Sequence, residues 1–502
     1  MERKVIIRNV VCSLLLQFVT IISGFVVPKV ILNYFGSNVN GLISSVNQFL
    51  NYIQLLEGGL SSVIMAALYK PLAEKNVNKI SSIVNATQLF FKRISIIFVA
   101  YMLGVAFIYP IFVDTGFTYA YSLALVIVLG SHLFVQYFFS LTLKLLLNAD
   151  RKVYIVSITQ IIIILSNMIA VVAFAKLFSD VLLIKIASAI IFLIQPVIYG
   201  RYVKKHYSID KTVSPDNAAL SQRWSGFGIN LAYFIHTNTD VIILTFFSSL
   251  ANISVYAVYL LVVNAMKNLV VAVSQAVTPS LGKSIATDNI KTANDKFELY
   301  EFGMFYITTI IFTCGVFLIT PFIRVYTSNI HDADYEQYLF GYILTIAEMV
   351  YCYRDPYVSV SYAAGHFKQV TKYAIIEVII NLVLSIALVH NLGIVGVAIG
   401  TLISMVYRTI AHIYYLRENI LMRKISIAIK KFLVFGLSFI ITIVGCNLLF
   451  VDKATGYLSW VVLGIKTFII CLSVSSLLCY IFYREMLEKL VLNRLKSKER
   501  KV

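Results

Sequence analysis

The chain has 502 residues, of which 59% are hydrophobic and only 13% charged, and its mean hydropathy is +0.84. That composition excludes a soluble globular protein and points to a polytopic membrane protein. The formal net charge of +18 would also suit a nucleic-acid binder, but the distribution of the basic residues accounts for it otherwise.

Apolar stretches long enough to cross a hydrocarbon layer of about 30 Å, roughly 20 helical residues each, recur fourteen times. They cover 5–35, 41–69, 82–113, 119–147, 153–176, 181–203, 224–248, 254–282, 297–326, 336–364, 372–390, 394–416, 432–450 and 458–483. Several exceed the minimum, which predicts tilt, kinks or extensions beyond the bilayer. The basic start continues past any signal-peptide core without a small-residue cleavage site, so the first segment reads as an uncleaved helix. Six cysteines (Cys12, Cys314, Cys352, Cys446, Cys471 and Cys479) fall inside the segments without metal-ligand spacing and read as packing residues.

Lys and Arg flanking membrane helices stay on the cytoplasmic side, and here they alternate by loop. One side holds Arg3, Lys4 and Arg8, Lys70 to Lys79, Arg151 and Lys152, and Arg201 to Arg223. The same side continues with Lys283 to Lys296, Lys368 and Lys372, Arg417 to Lys431, and Arg484 to Lys501. The opposite loops carry Lys176 and Lys453 beside Asp114, Asp180, Asp332, Asp334 and Glu336. Both termini are therefore expected in the cytoplasm. The net charge is sidedness with some attraction to anionic lipid, and no nucleic-acid partner is expected.

The longest connection before the C-terminal segments, "RYVKKHYSIDKTVSPDNAALSQR" at 201–223, separates six segments from eight. "KVILNYFG" at 29–36 resembles "DVIILTFF" at 240–247, and a nearby offset lays Asn51 and Gln54 over Asn264 and Lys267. The expected organisation is an N-terminal lobe at 1–203, a cytoplasmic linker at 204–223 and a C-terminal lobe at 224–418. Two extra helices at 419–484 and a basic tail at 485–502 follow. The fold class is an all-α integral membrane protein with two pseudo-symmetric six-helix lobes and two appended helices.

Polar side chains within lipid turn toward protein or water. At 100° per residue, Glu348, Tyr351, Cys352, Asp355, Ser359 and Tyr362 share a face of the tenth segment, with Arg354 about 100° away. The eighth aligns Asn264, Lys267, Asn268 and Gln275; the seventh Asn230, Tyr233, Thr237 and Asp240; the second Asn47, Asn51, Gln54, Gly58 and Ser61. A charge near mid-bilayer costs roughly 2.5–3.5 kcal/mol on insertion scales, so several of them predict a hydrated functional centre. Arg354 and Asp355 also fit a purely structural ion lock. Pro356 removes a helix hydrogen bond and would permit a pivot. Lys92 and Arg93 fit an inner boundary, Glu57 lies off its stripe, and His132, His236 and His412 fit packing histidines.

"GKS" at 282–284 would need a glycine at 277 to be a phosphate loop, and Val277 stands there. The classes that remain are secondary transporter, channel and intramembrane enzyme. "DAD" at 332–334 resembles the acid pair of glycosyltransferases but sits in a short outer loop, and no enzyme activity is expected.

The stretch "AAGHFKQVTKYAIIEVIINLVLSIALVHNLGIVGVAIGTLISMVYRTI" at 363–410, with "YRDPY" before it and the 6+6+2 plan, resembles the Wzx-like polysaccharide flippases of the multidrug, oligosaccharidyl-lipid and polysaccharide (MOP) exporter superfamily. Its Gly393, Gly396 and Gly400 would let two helices approach closely. The resemblance implies V-shaped, MATE-like lobes in alternating access. They would carry undecaprenyl-pyrophosphate-linked oligosaccharide from the inner to the outer leaflet of a bacterial cytoplasmic membrane. A polysaccharide polymerase and other envelope-assembly proteins are the implied partners. No cofactor is implied beyond a proton or sodium gradient.

A pyrophosphate needs cationic partners in low dielectric. The expected cargo contacts are Lys267 and Arg354, with Lys29, Lys92 and Arg93 behind them, and Asn264, Asn268, Asn51 and Gln54 for sugar hydroxyls. Asp240, Glu348, Asp355 and Glu57 are the expected ion-coupling carboxylates. Lipid II flippases of the superfamily also have fourteen helices but carry cavity arginines on helix 1, where this chain has only Lys29. Drug exporters usually have twelve helices, and a teichoic-acid precursor is not separable from a capsule or O-antigen unit.

The charge alternation is testable directly. Cysteines placed at Ser214 and Ser328 should react with an impermeant thiol reagent from opposite faces of the membrane, and labelling of Ser214→Cys from outside intact cells would invert the topology.

Overall fold

Backbone N–H and C=O groups have no water to bond inside a bilayer and must satisfy one another within each segment. Accordingly, the described residues form helices joined by turns, with no strand among them. This computed structural model describes residues 2–57, 60–216, 227–287, 290–450 and 454–499. Gly58, part of the linker including Arg223, Lys453 and the last tail residues lie outside that set, as do the side chains of Asn230, Tyr233, His236 and Lys283.

Every apolar segment becomes helical. Helix α1 (Glu2–Asn51) holds the first segment and the start of the second, bent at Gly36 (φ 80, ψ 179), a conformation that favours glycine. Helices α2 (Gln54–Glu57) and α3 (Leu60–Ala73) continue the second segment, and α4 (Val77–Phe112) is the third. The fourth runs as α5 (Tyr119–Val135), a π-helical turn (Gln136–Ser140) and α6 (Leu141–Ala149). Helix α7 (Val153–Leu177) is the fifth, and α8 (Val181–Phe192) with α9 (Ile194–His206) the sixth. Helices α10 (Phe227–Phe247), α11 (Leu250–Thr287), α12 (Ile290–Tyr326) and α13 (Tyr338–Ala363) are the seventh to tenth. Helix α14 (Phe367–Asn419) joins the next two across Gly393 (φ 54), and α15 (Ile425–Leu449) and α16 (Tyr457–Glu499) complete the chain.

Ten helices among the described residues are long and apolar enough to cross a membrane. One of them, α14, contains two predicted segments, α1 contains the first and the start of the second, and α13, with its three charges, is not among the ten. The chain is a multi-pass membrane protein. Helix starts carry their own acceptors: Asn76 caps α4, Thr118 caps α5 and Asp180 caps α8.

The chain divides into two compact units, Met1–Ala257 and Val258–Val502. In the first, α1 packs along α7, and Asn9 ties the two near the start of each helix by donating to the Arg151 carbonyl (2.8 Å) and accepting from the Tyr154 N–H (3.0 Å). The linker folds onto the start of α4, where Asn85 donates to the carbonyls of Asp210 and Val213 (3.0 Å each) and Lys79 pairs with Asp216 (2.7 Å). The boundary between the units falls within α11, and in the first unit α10 packs against α1 and α2. Ser45 bridges this contact, hydrogen-bonded to Thr245 (2.7 Å) and Tyr109 (2.8 Å). The matching stretches 29–36 and 240–247 end alike, one at the Gly36 bend and the other at the end of α10.

In the second unit, α13 lies along α14, α12 contacts α13, α15 and α16, and the last two helices pair. The two arms of α14 fold together at the glycines. A Cβ on Gly396 would lie 2.5 Å from the Leu388 carbonyl oxygen, and one on Gly400 would lie 2.9 Å from the Ser385 nitrogen. Gly393 has open space around it and is needed for its φ alone. Since the neighbour of Gly396 is backbone, Gly396→Val should lower stability by about 1–3 kcal/mol, read as an earlier thermal transition of the detergent-purified protein.

Candidate functional site

Helix α13 remains helical through Pro356 and presents charge on two faces. On the first, Glu348 meets Lys267 of α11, with Nζ 3.1 Å from Oε2 and side-chain exposures of 7% and 15%. Tyr351 follows, its ring centroid 5.2 Å from Lys267 Nζ and 4.8 Å from the Arg354 guanidinium, so one ring contacts two cations.

On the second face, buried Arg354 donates to Glu377 Oε1 of α14, and Arg408 from the other arm of α14 donates to Oε2 at 2.5 Å. Tyr357, one turn on, donates to Glu301 of α12. Lys431 of α15 and Arg423, the latter at 2.9 Å, share the other oxygen of Glu301. Glu301 and Lys431 are wholly buried.

On the first face again, two turns beyond Glu348, Asp355 turns toward Ser274 of α11. Its Oδ2 is buried without a hydrogen-bond partner, while the Ser274 hydroxyl bonds Tyr300 of α12 at 2.6 Å. Arg354 and Asp355 are thus neighbours in sequence but not partners.

The first unit has a smaller cluster where two helices are irregular. Glu57, in the short α2, accepts from Ser61 and from Tyr137 (3.4 Å), and Tyr137 belongs to the π-helical turn. Such turns frequently mark functional sites. Lys144 of α6 lies within electrostatic reach of Glu57, and Lys92 stands 5.6 Å from the Phe138 ring. Asp240, 5% exposed, accepts from Tyr256 at 2.8 Å. Gln54 donates to Asn51 at 3.3 Å, Lys29 is half-buried on α1, and Arg93 is exposed.

Of the expected cargo contacts in the second unit, Asn264 is half-buried beside Lys267 in sequence and Asn268 is exposed. His132 and His412 each bond a carbonyl of their own helix, at 2.6 and 3.1 Å, as packing histidines do. In the "DAD" loop, Asp334 accepts from the Glu336 N–H (3.0 Å) and from Gln337 (2.8 Å), which shapes the entry to α13. No group of three or more metal-ligating side chains occurs among the described residues.

Glu377, Arg408, Glu301, Lys431 and Lys144 escaped the sequence reading. For Glu377 the signal was a lone charge in an apolar run, "AIIEVII"; Glu301 follows Lys296 and Glu298, and Lys431 was read only as part of the cytoplasmic basic flank.

The fold is that of all-helical, multi-pass membrane transporters. Among solved structures, the chain resembles the lipid II flippase MurJ in its inward closed conformation, with a TM-score of 0.68 and 17% identity over 96% of this chain and 100% of that one. It also resembles an inward-facing multidrug resistance MATE family transporter of the MOP superfamily (TM-score 0.66, 13% identity, 79% and 93% covered). The MATE multidrug transporter DinF-BH, in a ligand complex, matches at a TM-score of 0.59 and 18% identity over 84% and 97%. No protein-family model and no curated protein matches the sequence.

Removing one member of a buried ion cluster leaves its partners uncompensated, at about 3–5 kcal/mol. Glu377→Gln should therefore cost that much in thermal unfolding of the purified protein, whereas Lys267→Gln, at a more accessible pair, should melt near wild type. Equal losses for the two would remove the distinction between a structural and a working pair.

Proposed function

We propose that this protein is a flippase that moves a polyprenyl-pyrophosphate-linked oligosaccharide, a repeat unit of a cell-surface polysaccharide, from the inner to the outer leaflet of the bacterial cytoplasmic membrane. The observation that carries the reading is the Lys267–Glu348 pair. Its ammonium and carboxylate are 3.1 Å apart, yet Glu348 Oε2 receives no well-formed hydrogen bond. A contact of that kind can be exchanged. An incoming pyrophosphate replaces Glu348 as the counter-ion of Lys267, and Tyr351 keeps the cation over an aromatic face while the partners change. Arg354 contrasts with it, since its guanidinium is 3% exposed and hydrogen-bonded to Glu377. Its part in cargo recognition is to hold the Tyr351 ring in place.

Coupling falls to Asp355. A buried carboxylate oxygen without a donor, next to the Ser274 hydroxyl, is a place where a proton or a sodium ion restores neutrality. Asp240 and Glu57 already accept tyrosine hydroxyls in the first unit and are second choices.

A second reading, transport of lipid II itself, is favoured by the full-length likeness to MurJ. Both cargoes present a polyprenyl pyrophosphate to Lys267, and they differ in the sugar and peptide beyond it.

The test is flipping in reconstituted vesicles loaded separately with lipid-linked oligosaccharide and with lipid II. Lys267→Gln should slow flipping by about tenfold or more, the worth of one hydrogen bond to a charged group, at every pH and sodium level. Asp355→Asn should instead flatten the dependence on pH or sodium. Unchanged flipping by Lys267→Gln would sink the cargo role, and a faster rate with lipid II would select the second reading.

A further inference from the structure

We propose that the coupling ion is a proton held by Asp355, and that Ser274 and Tyr300 relay it toward the cytoplasmic end of α13; this rests on the flippase reading and names its driving ion. The buried acids on and around α13 differ in what neutralises them. Glu348 faces Lys267, Glu377 lies between Arg354 and Arg408, and Glu301 meets Arg423 and Lys431. Among the described residues Asp355 makes no ion pair, and the group it turns to is the Ser274 hydroxyl. An unpaired buried carboxylate is far costlier than a neutral carboxyl, so Asp355 takes up a neutralising cation here.

Sodium is the poorer fit. It binds through several oxygens at once, and the Ser274 hydroxyl beside the carboxylate is already engaged with Tyr300 at 2.6 Å. Oδ2 of Asp355 has no donor, and a single proton on the carboxyl removes the charge without breaking that pair. The other ionisable groups are committed elsewhere. Arg354 reaches away to Glu377, which it shares with Arg408 of α14, and Lys267 of α11 pairs with Glu348 two turns off. Cys352 on α13 and Tyr300 on α12 complete the titratable surroundings.

The hydroxyls continue past Ser274. The Tyr300 hydroxyl adjoins those of Thr278 on α11 and Ser359 on α13. Thr278 and Ser359 lie four residues beyond Ser274 and Asp355, one turn nearer the helix ends that the charge rule places in the cytoplasm. Ser274 is 2% exposed and Tyr300 7%, whereas Thr278 and Ser359 are half-buried, so the row leads outward from an enclosed acid. Val273, Val277, Leu299 and Ile307 wall the side of Tyr300 with carbon and offer a proton no other stop.

With Asp355 protonated, its O–H donates to Ser274, Ser274 to Tyr300, and Tyr300 to Ser359 or Thr278. On release, Asp355 passes its proton to Ser274 as Ser274 passes its own to Tyr300, and Tyr300 hands one to water at the Ser359 end. Both hydroxyls end as they began, now donating toward an ionised Asp355.

The full chain in phosphatidylcholine nanodiscs, without cargo, tests both parts. Dicyclohexylcarbodiimide reacts with protonated carboxyls in apolar surroundings. It should modify Asp355 at neutral pH, read by mass spectrometry of the peptide, at the same rate with and without sodium chloride. For the relay, the infrared C=O band of protonated Asp355, identified by its loss in Asp355→Asn, is followed after a jump to alkaline pH. Its decay should slow on the order of a hundredfold in Tyr300→Phe, the lower range of what a positioned proton carrier contributes, with the starting amplitude kept. Ser274→Ala should slow it likewise and Ser274→Thr should restore it, which a packing defect would not do. Tyr353→Phe, whose lost hydroxyl bonds Thr309 outside the row, should match wild type.

No modification of Asp355, protection by sodium, or wild-type decay in Tyr300→Phe would overturn the proposal. The two readings fail separately. Flipping of lipid-linked oligosaccharide by a protein whose Asp355 resists the carbodiimide keeps the flippase and loses the proton site. A slowed decay in Tyr300→Phe from a protein that flips no such cargo keeps the relay and loses the flippase.

Discussion

A charged carboxylate enclosed by membrane-spanning helices is stabilised by neighbouring cations, and Glu377 lies between Arg354 and Arg408. Much of the second unit depends on this constraint and its counterpart at Glu301. Arg354 and Tyr357 lie one turn apart on α13, and they reach in different directions: one to α14, the other to the carboxylate that α12 shares with α15. Apolar packing alone is non-directional. Stacked Phe305 and Tyr353, 4.4 Å between centroids, would tolerate some sliding, and the ion clusters on either side fix the register.

The same pairing rule separates two kinds of charge on one helix. At Glu377 and Glu301 both carboxylate oxygens are engaged, so any rearrangement would strand a charge in low dielectric. At Lys267 and Glu348 the contact is looser and more accessible, and the loss of either partner is easier to bear. Pro356 sits between Arg354 and Tyr357, that is, between the two clamps. The missing hydrogen bond at Pro356 leaves the helix intact because its surroundings are held on both sides.

What was legible in the sequence follows from range. Hydropathy is local, so all fourteen segments could be read, and Gly393, Gly396 and Gly400 announced a close helix approach that α14 displays. The bend at Gly36 and the π-helical turn at Gln136–Ser140 were not legible, since neither proline nor a composition change marks them, whereas the break of α8 at Leu193 has a signal in Pro196, which removes the helix bond to Phe192. For the site, periodicity placed Glu348, Tyr351 and Asp355 on one stripe, and Lys267 was singled out on its own helix. The partner of Arg354 was beyond reach. Glu377 and Arg408 are in different segments, and a lone acid in an isoleucine run reveals nothing of the cation it will meet after folding.

The Glu301 cluster also has a bearing on biogenesis. Its cations follow it by 122 residues at Arg423 and by 130 at Lys431. During synthesis from the N-terminus, α12 enters the membrane with an acid whose counter-ions do not yet exist, and Tyr357 arrives first with only a hydroxyl. Arg423 and α15 are therefore the late half of an ionic closure, and a nascent chain halted before Arg423 carries an uncompensated charge of the kind that membrane quality control can recognise.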